Sequence, residues 1–162
     1  MRIRIISIGQ KMPNWVETGF KEYHKRIQPM LSTELIELAA AKRHKNPSLA
    51  NVVQYRQAEG EAILNTHAQA SQEKLWVLDI KGTMLSTEHL ASKLATAMQD
   101  GNDIALVIGG ADGVSPEVLA QADFKWSLSH LTLPHPMVRV VLMEQLYRAM
   151  SINHNHPYHR GN

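Results

Sequence analysis

The chain has 162 residues, 44% hydrophobic and 20% charged, with a net charge of +2, which suits one folded domain over residues 1–162 and excludes a disordered chain. Its lack of cysteine excludes disulfides, thiolate metal sites and a cysteine nucleophile. No apolar run approaches the roughly 20 residues of a membrane helix, and the stretch after Met1 is too short and too interrupted by Arg4 to be an export signal, so the cytoplasm is the expected compartment.

Residues 2–8 alternate and are rich in isoleucine, which predicts a strand. A turn leads into a helix over 13–27, with Trp15, Phe20 and Tyr23 as its candidate buried residues. A second strand is expected over 34–40. A long helix over 48–68 carries Val52, Tyr55, Ala58, Ala62 and Ile63 at helical spacing. Residues 74–80 read as a strand. Ser86 or Thr87 caps a helix that runs to about Asp100 and stops at Gly101. The strand over 103–108, strictly apolar after Asp103, is of the kind buried on both faces. A loop with three glycines follows at 109–113. Ser115-Pro116-Glu117 then supplies an N-cap, a proline at the first helical position and an acid in the first turn. A short strand over 124–129, a turn-rich connector over 131–136 and a final helix over 136–152 complete the chain.

This alternation argues for an α/β fold with a mostly parallel sheet flanked by helices. Ligands in such sheets bind beyond the carboxyl ends of strands. Three loops qualify: those after Leu78-Asp79, after Ile108 and after Trp126-Ser127. The last helix is apolar around most of its circumference, from Met137 through Ile152. A surface helix shows one stripe. Burial on two sides is implied, either by core plus a partner subunit, hence a homodimer, or by core alone.

Charge is unevenly spread. Residues 1–56 carry a balance of +6 and residues 57–162 a balance of −4. The excess peaks at Lys42-Arg43-His44-Lys45, which reads as a solvated loop or as a phosphate-contacting patch. Five of nine histidines lie from His130 onward. His154, His156 and His159 match zinc spacings poorly, so no metal is expected. Their rival reading is an RNA-contacting tail, in which Tyr158 or His159 stacks on a base and Arg160 pairs with a phosphate. Glu144 and Arg148, at i and i+4, form a helix-stabilising pair or hold an arginine ready for substrate. The glycine loop at 109–113 lacks the dinucleotide and P-loop patterns but allows close backbone approach to a ligand.

Several blocks in this order carry a resemblance: Lys-Met-Pro-Asn-Trp at 11–15, Glu-Leu-Ile-Glu at 34–37, Leu-Val-Ile-Gly-Gly at 106–110, Trp-Ser-Leu-Ser at 126–129, Leu-Thr-Leu-Pro-His-Pro at 131–136, Glu-Gln-Leu-Tyr-Arg-Ala at 144–149 and Asn-His-Pro-Tyr-His at 155–159. From residue 3 to 160 the chain resembles the ribosomal RNA large subunit methyltransferase H family of the SPOUT class. Ala111-Asp112 stands where that family has Pro-Glu, and His130 stands where a small residue is common. The resemblance implies a C-terminal trefoil knot, an exception to the rule against threaded chains, and a homodimer. It implies methyl transfer from S-adenosylmethionine to N3 of a pseudouridine in 23S ribosomal RNA of assembled ribosomes. By position, Leu78, Gly110, Leu128, Ser129, His130, Leu131, Thr132 and Leu133 would bind the cofactor. Tyr158, His159 and Arg148 would serve the chemistry, the tail reaching across the dimer. Lys42, Arg43, Lys45 and Arg160 would contact RNA, and a side chain at Gly110 would block the pocket with little effect on folding. The rival readings are a non-catalytic ribosome- or RNA-binding protein on the same fold and a histidine-tail metallohydrolase.

Overall fold

The computed structural model describes residues 1–160. Five strands, β1 (Arg2–Ile8), β2 (Ser32–Leu38), β3 (Glu73–Met84), β4 (Asp103–Ile108) and β5 (Phe124–Ser127), form one sheet in the order β2-β1-β4-β3-β5. Every pairing is parallel. The helices are α1 (Asn14–Ile27), α2 (Leu49–His67), α3 (Thr87–Gln99), α4 (Pro116–Gln121) and α5 (His135–Asn153), followed by a 3-10 turn, Pro157–Arg160.

Strand alternation sends side chains to two cores. Ile3 and Ile5 of β1 join Phe20 and Ile27 of α1, Leu90 and Leu94 of α3, and Leu142, Leu146 and Met150 of α5. Ile6 and Ile8 join Ile63 of α2 and Val118 of α4 on the other face. Helices therefore cover both faces, as a parallel sheet requires. Arg4 sits buried in β1 because Glu73 accepts from its Nε at 2.8 Å and its Nη2 at 2.5 Å, while carbonyls at the end of α2 take further bonds. That partner makes the cost of an arginine in a buried strand tolerable.

Side-chain caps set the starts of three helices. Ser48 and Asn51 form a reciprocal capping box on α2, Ser86 caps α3, and Ser115 caps α4 ahead of its proline. Several expectations need correction. Trp15 is 55% exposed, because α1 turns Val16, Phe20 and Ile27 inward. Ala58 is likewise exposed on α2. β5 ends at Ser127 rather than 129, and β2 ends at Leu38. β3 runs on to Met84, past Lys81-Gly82, through a break in register between Leu78 and Thr83. Much of the apolar circumference of α5 is covered by α1 and α3, which flank it. Met137 stays exposed, and Val140 and Val141 are half-buried. Among the described residues, no helix is long and apolar enough to cross a membrane.

Candidate active site

A cavity of about 730 Å³ opens at the carboxyl ends of β3, β4 and β5, within the range of roughly 300–1,000 Å³ usual for small-molecule sites. The three loops picked out by position supply most of its wall: 78–81, 108–114 and 126–134. His135 and Val138 from the start of α5 close one side, and Arg56 and Leu119 close another. The β3 irregularity builds part of this wall, since residues 79–81 leave the ladder and line the cavity. Bulges re-aim a strand in this way beside functional sites. Gly82 permits it, because a Cβ there would stand 2.7 Å from the Lys125 carbonyl carbon and the Trp126 nitrogen.

Of the eight expected cofactor residues, Leu78, Gly110, Leu128, Ser129, Leu131, Thr132 and Leu133 line the cavity and His130 does not. The 128–133 segment is held by short-range bonds. Ser127 Oγ donates to the Ser129 carbonyl at 3.0 Å, and Ser129 Oγ accepts from the Leu131 N–H at 2.9 Å. The backbone groups of Thr132 and Leu133 make no hydrogen bond within the described residues, which leaves them free for a ligand.

Gly110 lines the cavity, but a side chain there would not simply block the pocket with little effect on folding. Its missing Cβ points into the protein rather than the cavity: it would stand 2.5 Å from Glu59 Oε2 and 3.1 Å from the Ile8 side chain. A larger residue there would push on a buried carboxylate, so Gly110→Val would disturb the fold as well as the pocket. Glu59 is only 4% exposed. Burial pushes its carboxyl up, opposed by the Arg43 guanidinium. Arg43 itself bridges two acids. Its Nη2 reaches Asp112 Oδ2 at 2.7 Å and Glu59 Oε1 at 2.9 Å, and its Nε reaches Asp112 at 3.2 Å. Lys42 and Lys45 are exposed on either side of it.

The C-terminal residues lie elsewhere. Tyr158, His159 and Arg160 fold back as a 3-10 turn on the far end of α5. The Tyr158 hydroxyl donates to Glu144 Oε1 at 3.0 Å, and Arg148 Nε donates to the same oxygen at 2.9 Å. The Arg148 guanidinium lies 4.7 Å from the Tyr158 ring centroid, and the Tyr147 ring lies 4.6 Å away on its own side. Burial, with hydrogen bonds to Tyr23 and Glu144, raises the Tyr158 pKa, so its proton is firmly held. His159 Nδ1 is buried and has no partner among the described residues. None of Arg148, Tyr158, His159 or Arg160 lines the cavity of its own chain. Arg148 lies ten residues beyond Val138 on α5, about 15 Å along the axis at 1.5 Å per residue.

Sequence reasoning missed Arg56, Asp79, Lys81 and His135 as cavity residues. His135 stood inside the block at 131–136, the one available signal. Burial lowers its pKa, and the nearby Arg139 guanidinium adds to the shift. Arg139 is itself buried, bonded to Glu37 and to the Gly9 carbonyl, both at 2.6 Å. Among the described residues, no group of three His, Asp or Glu side chains is placed to hold a metal.

A family profile described as Predicted SPOUT methyltransferase matches residues 1–159. A protein of Psychrobacter arcticus named ribosomal RNA large subunit methyltransferase H is 76% identical over 162 residues, covering 100% of both chains. One of the same name from Acinetobacter baumannii is 59% identical over 161 residues, covering 99% of this chain and 100% of the other. A solved structure from Bordetella pertussis Tohama I, described as a probable methyltransferase, superposes with a TM-score of 0.54 at 14% identity. It covers 92% of this chain and 94% of its own, a likeness of fold.

Proposed function

The chain belongs to the SPOUT methyltransferase family, and on that premise we propose that it transfers a methyl group from S-adenosylmethionine to 23S ribosomal RNA, at N3 of a pseudouridine in the assembled ribosome. The observation that carries this reading is the cavity itself: three loops at strand carboxyl ends, apolar side chains, and unpaired backbone groups at Thr132 and Leu133. That wall fits an adenosyl ligand, whose ring wants apolar faces and a few fixed polar contacts. Leu78, Gly110 and the 128–133 segment would hold the adenosine, and Asp79 is placed in the wall to face a cationic part of the ligand. The cofactor, when bound, supplies an activated methyl group.

The protein's task is then to orient the acceptor nitrogen in line and to manage one proton. The residues suited to that are on the C-terminal turn. Within one chain they lie along α5 from the cavity, so the reading requires a second copy to bring Tyr158, His159 and Arg160 to it. We therefore assign the protein a homodimer, acting in the cytoplasm where ribosomes are. Tyr158, with its proton held toward Glu144, suits an orienting function. His159 suits the proton acceptor, and Arg148 or Arg160 suits stabilisation of charge developing on the ring oxygens. Lys42 and Lys45 are exposed and suited to phosphates.

Calorimetric titration of the protein with S-adenosylmethionine, followed by methyl transfer to ribosomes lacking the modification, tests the proposal. Saturable binding and transfer are expected. A protein that binds ribosomes in a salt-dependent way but shows no cofactor binding would be a non-catalytic RNA binder.

A further inference from the structure

We infer that Arg43, expected from sequence to contact RNA, is a positioning residue of the cofactor pocket: it ties the basic loop to the glycine loop through Asp112 and is itself seated by Glu59. The inference rests on the proposed cofactor reading. It deepens that reading by giving the pocket floor a support outside its own wall.

The geometry gives Arg43 four anchors. Asp112 lies within the 109–113 loop and lines the cavity. Glu59 belongs to α2, at a point where its second oxygen fills the space behind Gly110. Tyr55, one helical turn earlier, presents its ring 5.3 Å from the guanidinium, and its hydroxyl accepts from the His44 N–H at 2.7 Å. The guanidinium also donates to the Ala41 carbonyl at 3.3 Å. The loop carrying Lys42 and Lys45 is therefore fastened to α2 on one side and to the pocket floor on the other.

Electrostatics make the fastening specific to arginine. Two carboxylates face one guanidinium, and a planar fork serves both where a lysine ammonium is a single point charge. An RNA phosphate competing for Arg43 would have to displace Asp112 at 2.7 Å and Glu59 at 2.9 Å. Among the described residues, Lys42 and Lys45 carry no such ties. Removing Arg43 leaves Glu59 buried beneath Gly110 without its counter-charge and leaves Asp112 unanchored. Both changes loosen the floor on which the ligand lies.

The test compares Arg43→Met, Asp112→Asn, the double variant, Arg43→Lys, and Lys42→Ala/Lys45→Ala. Readouts are the Kd for S-adenosylmethionine by calorimetry, amide exchange at residues 109–114, ribosome binding, and thermal unfolding. Arg43→Met is expected to weaken cofactor binding roughly tenfold, within the usual range for coupled sites, and to raise exchange in the glycine loop. Asp112→Asn, at a half-exposed position that does not threaten folding, is expected to move both readouts in the same direction. The double variant is expected to lose little more than Arg43→Met, because the two residues act as one unit. Arg43→Lys is expected to restore part of the affinity. The lysine pair is expected to weaken ribosome binding with cofactor Kd unchanged. If the wild type binds cofactor and both single variants bind it equally well, the inference is overturned while the proposed function stands. Additive losses for Arg43→Met and Asp112→Asn also overturn it. A wild type that binds no cofactor takes both down.

Discussion

His135 shows how one side chain can tie the site to the fold. It lines the cavity, its Nε2 is buried without a partner, and the Arg139 guanidinium stands beyond it. Its folded-state pKa lies below the ordinary value of 6.5, so the folded chain resists taking the proton that the unfolded chain accepts. Stability contributed by the neutral ring is then complete above 6.5 and is lost as pH falls below it. Denaturant unfolding at pH 7.5 and about pH 5.5 is expected to show a smaller acid loss for His135→Gln than for the wild type. An equal loss would place the acid sensitivity at other groups. The contacts behind the glycine loop were hidden from the sequence for a different reason. Arg43, Glu59 and Asp112 pair across separations of 16 and 69 residues, and no local spacing announces such a contact. Asp112 was visible as a member of the glycine loop and as a departure from the family pattern, but its partner was not.

Between elements, the tightest constraint is at Gly60, where α2 passes the start of α4. A Cβ there would run into Ser115, whose Oγ accepts from the Val118 N–H and starts the helix. Gly60→Ala gains helix propensity of about 1 kcal/mol, but it displaces a buried cap, and overpacking of this kind costs roughly 1–3 kcal/mol. Net destabilisation in a denaturant titration is expected; a gain in stability would mean that Ser115 yields freely. Element order and type were legible because the strands are short apolar runs set between turn residues, and α2, α3 and α4 each open on a serine cap. β1 and β4 were readable to the residue, since an isoleucine-rich run and a wholly apolar run have sharp ends. β3 was not, because Lys81-Gly82 reads as a stop while the ladder resumes beyond it on β5. That resumption depends on a partner strand some 40 residues later. Trp15 was misplaced because size argues for burial while the helical phase of Val16, Phe20 and Ile27 turns it outward. The three cavity loops were legible from the rule about strand ends, whereas the wall contributed by Arg56 and Leu119 required knowledge of how α2 and α4 pack.

For the whole molecule, the proposed function requires cavity and C-terminal turn to meet across two copies. Two defective variants should therefore complement. Thr132→Arg fills the cavity at an exposed loop position; Tyr158→Ala with His159→Ala removes the turn's side chains. Each alone is expected to be inactive. Unfolded and refolded together in equal amounts, they are expected to recover about a quarter of wild-type turnover, since half the dimers would hold one intact site. No recovery, with mixed dimers demonstrated, would put cavity and turn in the same chain.

The position of α5 in the core has a consequence for how the protein is made. Leu142, Met143, Leu146 and Met150 are wholly buried against one face of the sheet, yet they follow all five of its strands in the chain. Strands that pair only in parallel give no hairpin to form early, and β1 must wait for β4 from about a hundred residues away. While the chain is growing, α1 and α3 can cover only part of that face, and the emerging polypeptide carries the rest uncovered until α5 arrives. The completed core is therefore a late event, and a chain released before α5 would present itself to chaperones and proteases instead of to ribosomal RNA.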